Sequence, residues 1–238
     1  MQAILLEIYG KSKGAEAYAR ITSLLEAFAK QKKSGKRVHF SQSDAVLITY
    51  GDTLSQDGEL PLRTLGRFLQ TYLNGVFSGL HILPFYPYSS DDGFSITDFF
   101  AVRSDLGSWR DIGDLGKRFK LMVDLVANHV SAESLWFRKY LADERGFENL
   151  AIEVDPETDL SSVTRPRSEP LLTPFQKQTG RQVHIWTTFS TDQIDLNYNN
   201  LDVLENMVRA LLFYISHDDI FQISLFKRIK LIKKRKYH

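Results

Sequence analysis

The 238-residue chain contains no cysteine. Disulfides, thiolate zinc sites and cysteine nucleophiles are therefore excluded, which fits a cytoplasmic protein. It has no stretch of 18 consecutive apolar residues, so no membrane-spanning helix is expected. The first segment, MQAILLEIYGK, carries Glu7 within its apolar part and has no small-residue cleavage site, which argues against a secretory signal. Also missing are a Gly-rich phosphate loop, an HExxH zinc motif and a GxSxG nucleophile elbow. No hydrolase triad can be argued from the spacing of Ser and His. Net charge is close to zero, at +1, but it is unevenly placed. Residues 227–238 hold seven Lys and Arg and no acid, leaving 23 basic against 29 acidic residues before them. A nucleic-acid protein would carry basic surface across its fold, so neither a nucleic-acid nor a membrane partner is expected. The basic tail reads as a solvated end.

What is present is an α/β rhythm. Residues 1–33 read as helix, interrupted from Gly10 to Gly14, with Ala17, Ile21, Leu24, Leu25 and Phe28 on one face. Lys30, Lys32, Lys33 and Gly35 suit the end of that helix. Residues 45–50, AVLITY, form a continuous apolar run, as expected of a parallel strand covered on both faces. Helical spacing follows from Leu65 to Val76, then a strand at 79–83, a helix at 109–119 and a strand at 120–126. A helix is expected within 132–142. About fifty residues of weak pattern lead to strand-like content at 183–189, followed by a helix at 201–214 and a last strand at 219–225. A structureless stretch of that length is usually functional or a small subdomain.

The stretch HILPFYPYSSDDGFSITDF, residues 81–99, is the chemical centre of the chain. It runs from a buried strand into prolines and tyrosines, then to Asp91 and Asp92. Aromatic faces beside carboxylate acceptors suit a sugar ring, although Asp, Gly and Pro also build ordinary loops. Asp124, Asn128 and His129 lie at or just past the end of the 120–126 strand. Strand ends converge on one face of a parallel sheet, so these residues suit hydroxyls or a metal. Equally, Asp124 and Asn128 could serve only to hold the loop backbone. In Thr164-Arg165-Pro166-Arg167, the arginines suit phosphate or carboxylate, or simple surface ion pairs.

The segments VLITYGD, GLHILPFYPYSSDDGFSITDF, LGSWRDI, LMVDLVANHVS, TRPRSEPLLTPF and VHIWTTFSTDQIDLNY together resemble the sucrose phosphorylase branch of glycoside hydrolase family 13, the α-amylase superfamily. The helical extension before Asp44, with the TRPRSEPLLTPF loop, looks most like glucosylglycerate phosphorylases and sucrose 6-phosphate phosphorylase-like members. The resemblance implies the N-terminal portion of a (β/α)8 TIM barrel with an inserted B domain and a helical N-terminal extension. The implied divisions are an extension at 1–43, barrel strands 1–3 at 44–142, a B-domain-like insertion at 143–192, barrel continuation at 193–226 and the tail at 227–238.

It also implies retaining phosphorolysis of an α-glucoside, sucrose or glucosylglycerate, to α-glucose 1-phosphate, with inorganic phosphate as co-substrate and no cofactor or metal. Such chemistry needs a nucleophilic carboxylate and a protonated carboxyl about 5–5.5 Å apart. Asp91 matches the acid that holds the glucose 4- and 6-hydroxyls, Phe94 the ring platform and His129 the histidine that closes on glucose. Arg167 matches the loop arginine that meets phosphate or acceptor, and Phe189 and Gln193 match residues lining the donor and acceptor sites. Asp124 and Asn128 match the signature region at the strand end.

The family strand D-I-I-R-L-D-A carries the nucleophile, but here the text is DIFQISL, with Gln222 and Ser224 where the Arg and the nucleophilic Asp would stand. The departure implies an inactive, frame-shifted N-terminal fragment that lacks nucleophile and acid/base and is poorly soluble or dependent on a partner fragment. A non-catalytic sugar-binding remnant and an α-amylase-type hydrolase are the alternatives.

Overall fold

A computed structural model describes residues 1–31, 41–163, 168–217 and 220–226, the last segment as backbone. Arg167 and the basic tail lie outside the described residues.

The chain opens with a helical hairpin, α1 (Gln2–Tyr9) and α2 (Lys11–Gln31). The break is narrower than the sequence suggested. It is confined to Gly10, at φ 79°, and Gly14 lies inside α2. Gly14 is needed for contact: a Cβ there would lie 2.6 Å from the Leu5 carbonyl oxygen. Lys32, Lys33 and Gly35, assigned to the helix end, lie outside the described residues. The hairpin is tied to the rest of the chain by the Tyr9 hydroxyl, which donates to the Tyr198 carbonyl at 2.8 Å. Arg20 adds ion pairs to Glu205, at 2.7 Å, and to Asp202.

The main sheet comprises β1 (Val46–Thr49), β2 (Gly79–Ile82), β3 (Lys120–Val126) and a fourth strand at Ile220–Phe226, all parallel and in that spatial order. Helix α3 (Pro61–Tyr72) joins β1 to β2, and α4 (Trp109–Gly116) joins β2 to β3. The proline at the start of α3 has no N–H to lose there, so the helix begins four residues before the periodic run. At the start of α4, the Ser108 backbone N–H and hydroxyl donate to Asp111 at 2.9 and 2.7 Å. Asp111 also accepts from Arg63 of α3 at 2.7 Å, locking the two crossover helices together.

Burial sorts the strands. All four residues of β2 are buried, and Leu121, Val123, Leu125 and Val126 of β3 enter the same core. β1 corrects the expectation of two covered faces: Ile48 is 60% exposed and Val46 39% exposed. A continuous apolar run records what a strand can bury, and β1 lies at the sheet edge.

Past β3 come β4 (His129–Ser131), α5 (Leu135–Leu141), β5 (Leu172–Gln176), β6 (Gln182–Trp186), β7 (Gln193–Asp195) and α6 (Leu201–Ser216), before the fourth sheet strand, β8 (Ile220–Phe226). β4 and β7 pair antiparallel, with His129 opposite Asp195, and form a clasp that closes off the intervening residues. β5 and β6 form an antiparallel hairpin. This hairpin is why the weak-patterned stretch has order, and Pro174 within β5 hid it from the periodicity. A buried lysine anchors it. Lys177 pairs with Asp143 and sits 4.1 Å from the ring centroid of Tyr140, whose hydroxyl donates to Glu153 at 2.5 Å. No helix among the described residues is long and apolar enough to cross a membrane.

Candidate functional site

The polar face forms where the loops after β1, β2 and β3 meet the β4–β7 clasp. Its floor is Asp124 in β3, fully buried, with Oδ1 3.0 Å from His81 Nε2 in β2. The Tyr86 hydroxyl donates to the Asp124 carbonyl at 2.9 Å. Tyr86 stacks on Tyr214 of α6, with ring centroids 5.1 Å apart and planes 7° apart. This aromatic pair carries the start of the β2 loop. In the sheet register Ser224 of β8 stands beside Asp124.

Above the floor the loop makes a sharp left-handed turn. Asp91, Asp92 and Gly93 have φ of 57°, 48° and 98°. Two consecutive non-glycine residues in this region are a local strain, and such strain collects at functional sites. Gly93 has no alternative, since a Cβ there would stand 2.8 Å from the Pro84 carbonyl oxygen. The turn leaves Asp92 exposed and Asp91 half-buried.

Five of the residues singled out in the sequence are joined here by direct contacts. Gln193, 1% exposed, donates from Nε2 to Asp91 Oδ2 at 2.8 Å. His129, 5% exposed, has Nε2 3.0 Å from the Phe94 carbonyl oxygen. The face-to-edge contact of the His129 and Phe189 rings has a centroid distance of 5.5 Å. The contacts form two sets, an acid with an amide and an imidazole with a phenyl ring, and Phe94 joins the second through its backbone carbonyl. Asn128 contributes backbone, its carbonyl accepting from Leu196 N–H at 3.0 Å.

Other participants escaped the sequence. Arg103 ties the loops after β1 and β2 together, pairing with Asp52 at 2.7 Å and donating to the Tyr88 hydroxyl at 3.1 Å. Burial, and the charges of Asp92 and Asp91, push the Tyr50 phenol up. Most densely bonded is Asp192. It accepts the hydroxyls of Ser89, Ser90, Ser95 and Ser131 and the N–H of Ala132. The serines flanking Asp91–Asp92 in YSSDDGFS were a visible signal, but their common partner is about a hundred residues away in sequence.

A match to the family described as "Alpha amylase, catalytic domain" covers residues 71–235. The chain belongs to this family. The glucosylglycerate phosphorylase of Escherichia coli is 48% identical over 210 residues, covering 88% of this chain and 38% of the relative. That of Allomeiothermus silvanus is 50% identical over 208 residues, covering 87% of this chain and 37% of the relative. Among solved structures, sucrose 6F-phosphate phosphorylase from Thermoanaerobacter thermosaccharolyticum superposes with a TM-score of 0.71 at 28% identity. It covers 79% of this chain and 40% of that one. This α-amylase-family chain thus spans less than two-fifths of the length of these two curated relatives. Its β1–α3–β2–α4–β3 and α6–β8 succession is part of the family's (β/α) barrel.

Asp195 offers a pH test of the clasp. Burial pushes its carboxyl up to about 6, and the Thr188 N–H at 2.6 Å only partly counters that. An acid with a raised folded pKa keeps a proton that the unfolded chain has already released. Stability should therefore fall as pH rises from about 4 to about 6, then level off, a loss on the order of 2–3 kcal/mol. Asp195→Asn keeps an acceptor for Thr188 and removes the titration. Chemical denaturation at pH 4 and pH 7 should find the variant more stable than the parent at pH 7 and no more stable at pH 4. An equal difference at both pH values would refute this assignment.

Proposed function

We propose that this chain supplies the glucose-holding wall of an α-glucoside phosphorylase site. The observation carrying the reading is the Gln193–Asp91 hydrogen bond, beside a histidine that contacts both Phe94 and Phe189. Asp91 would accept from the glucose 4- and 6-hydroxyls, and hydrogen bonds to a charged acceptor are the strong ones. Gln193 fixes the direction of that carboxylate. The Phe94 ring would cover the apolar face of the sugar, and His129 would close on it, held in place by the Phe94 carbonyl and the Phe189 ring. The relatives' names support the substrate class: α-glucosides such as sucrose or glucosylglycerate, with inorganic phosphate as co-substrate. Arg167 is proposed to meet phosphate or acceptor. The reaction needs no cofactor or metal, and the cytoplasm, where phosphate and sugar phosphates are held, is the proposed compartment.

Retaining chemistry requires a nucleophilic carboxylate. The strand position proposed for it is Ser224, beside Asp124 in the sheet, and a hydroxyl needs an activating base to act as a nucleophile. We therefore propose that residues 1–238 bind the sugar without transferring it. Calorimetry with glucose should give a dissociation constant on the order of 1 mM. Asp91→Ala should weaken it by roughly ten-fold or more, the equivalent of one charge-assisted hydrogen bond. Incubation with phosphate and either sucrose or glucosylglycerate should release no glucose 1-phosphate. Absence of glucose binding would reject the sugar wall. Turnover dependent on this chain would reject its catalytic silence.

A further inference from the structure

Asp192 belongs to no part of the sugar wall, yet its carboxylate is among the most heavily hydrogen-bonded of the described residues. Oδ2 accepts the hydroxyls of Ser89 at 2.5 Å, Ser95 at 2.7 Å and Ser90. Oδ1 accepts the Ser131 hydroxyl at 3.2 Å and the Ala132 N–H at 3.1 Å. The Asp192 backbone carbonyl shares two of these donors, the Ala132 N–H at 2.9 Å and the Ser95 hydroxyl at 3.1 Å. Burial opposes its ionisation, but the serine hydroxyls outweigh burial and hold the carboxyl below its usual range. It is therefore a charge at neutral pH, and serine hydroxyls rotate to face a charge.

The placement of the donors is informative. Ser90 immediately precedes the left-handed turn Asp91–Gly93, and Ser95 lies two residues beyond it. Asp192 thus grips both ends of a strained turn. Its neighbour Gln193 grips the product of that turn, the Asp91 carboxylate. The fourth serine, Ser131, belongs to β4, so the same carboxylate references the turn to the end of β3 and to His129. A turn with two non-glycine residues at positive φ persists only where its surroundings over-determine it. The structure shows those surroundings converging on one side chain.

We infer that Asp192 is a positioning residue which, through the serine hydroxyls of the 89–95 loop, holds the left-handed turn that aims Asp91 at the sugar. This inference rests on the sugar-wall reading above and deepens it. Asp192 touches no ligand. It acts by keeping Asp91 pre-aimed, so that binding does not have to order the turn.

Hydrogen–deuterium exchange on the full chain tests this, paired with glucose calorimetry. In Asp192→Asn the amides of Ser89, Phe94, Ser95 and Thr97, all hydrogen-bonded within or beside the loop, should exchange at least ten-fold faster. Those of β2 and β3 should be unchanged, and the glucose dissociation constant should rise about ten-fold. Acceleration spread equally over β3 would mean a merely structural residue and overturn the inference, as would unchanged exchange at 89–97. Should Asp192→Asn fail to fold, Ser90→Ala removes one donor and should loosen the same amides about three-fold. No loosening in Ser90→Ala would then overturn the inference. A parent chain that binds no glucose would sink the sugar reading alone, because the exchange comparison still decides whether Asp192 holds the turn.

Discussion

Gly93→Ala should be the most damaging single methyl group added to the site. Residue 93 sits at φ 98°, where an L side chain is strained, and the new Cβ would press on the Pro84 carbonyl oxygen at 2.8 Å. Strain of this kind costs about 1–3 kcal/mol, and forced overpacking adds a similar amount, so a loss of about 2–6 kcal/mol is expected. The clash is with backbone, so no rotamer change relieves it. The turn must move instead, taking Asp91 with it, and glucose binding should disappear. Urea denaturation and calorimetry on the same protein measure both effects. Parental stability together with parental affinity would show that the left-handed turn has no role in aiming Asp91.

Tyr86→Ala should have an equally large effect on the fold. Tyr86 is fully buried, stacked on Tyr214 and packed against Phe85 at a centroid distance of 4.5 Å. Removing a buried aromatic ring costs about 3–5 kcal/mol through lost transfer energy and the cavity left behind. Tyr86→Phe keeps the ring and removes the hydroxyl that donates to the Asp124 carbonyl. It should cost about 1 kcal/mol, the net worth of one hydrogen bond. Thermal or urea unfolding of the pair separates packing from hydrogen bonding. If the phenylalanine variant lost as much as the alanine variant, the hydroxyl rather than the stack would be the anchor between the β2 loop and β3.

Parts of this architecture could be read along the chain. The strand at 120–126 was legible as an apolar run, and the helices read at 109–119 and 201–214 from their apolar spacing are found at 109–116 and 201–216. Elements whose order comes from distant partners were not legible. β5 contains a proline, and β4 and β7 are three residues each. A three-residue strand has no period to detect. It exists because His129–Ser131 and Gln193–Asp195 complete each other's hydrogen bonds across more than sixty residues of chain.

Local order determined which residue types were available: an Asp-Asp-Gly sequence, serines on both sides of it, and aromatic residues with an imidazole beyond the strand ends. Their chemistry could be named from the sequence because acceptor, donor and ring are properties of single side chains. Tertiary structure alone decided which of the two acids is held by Gln193 and which is left exposed. It also decided that Asp192, with no motif of its own, gathers four hydroxyls. The reason is range. A turn is specified by the steric freedom of adjacent residues, whereas the Asp91 carboxylate is set by Gln193 and the Asp192 carboxylate by donors from residues 89 and 131, all distant in sequence.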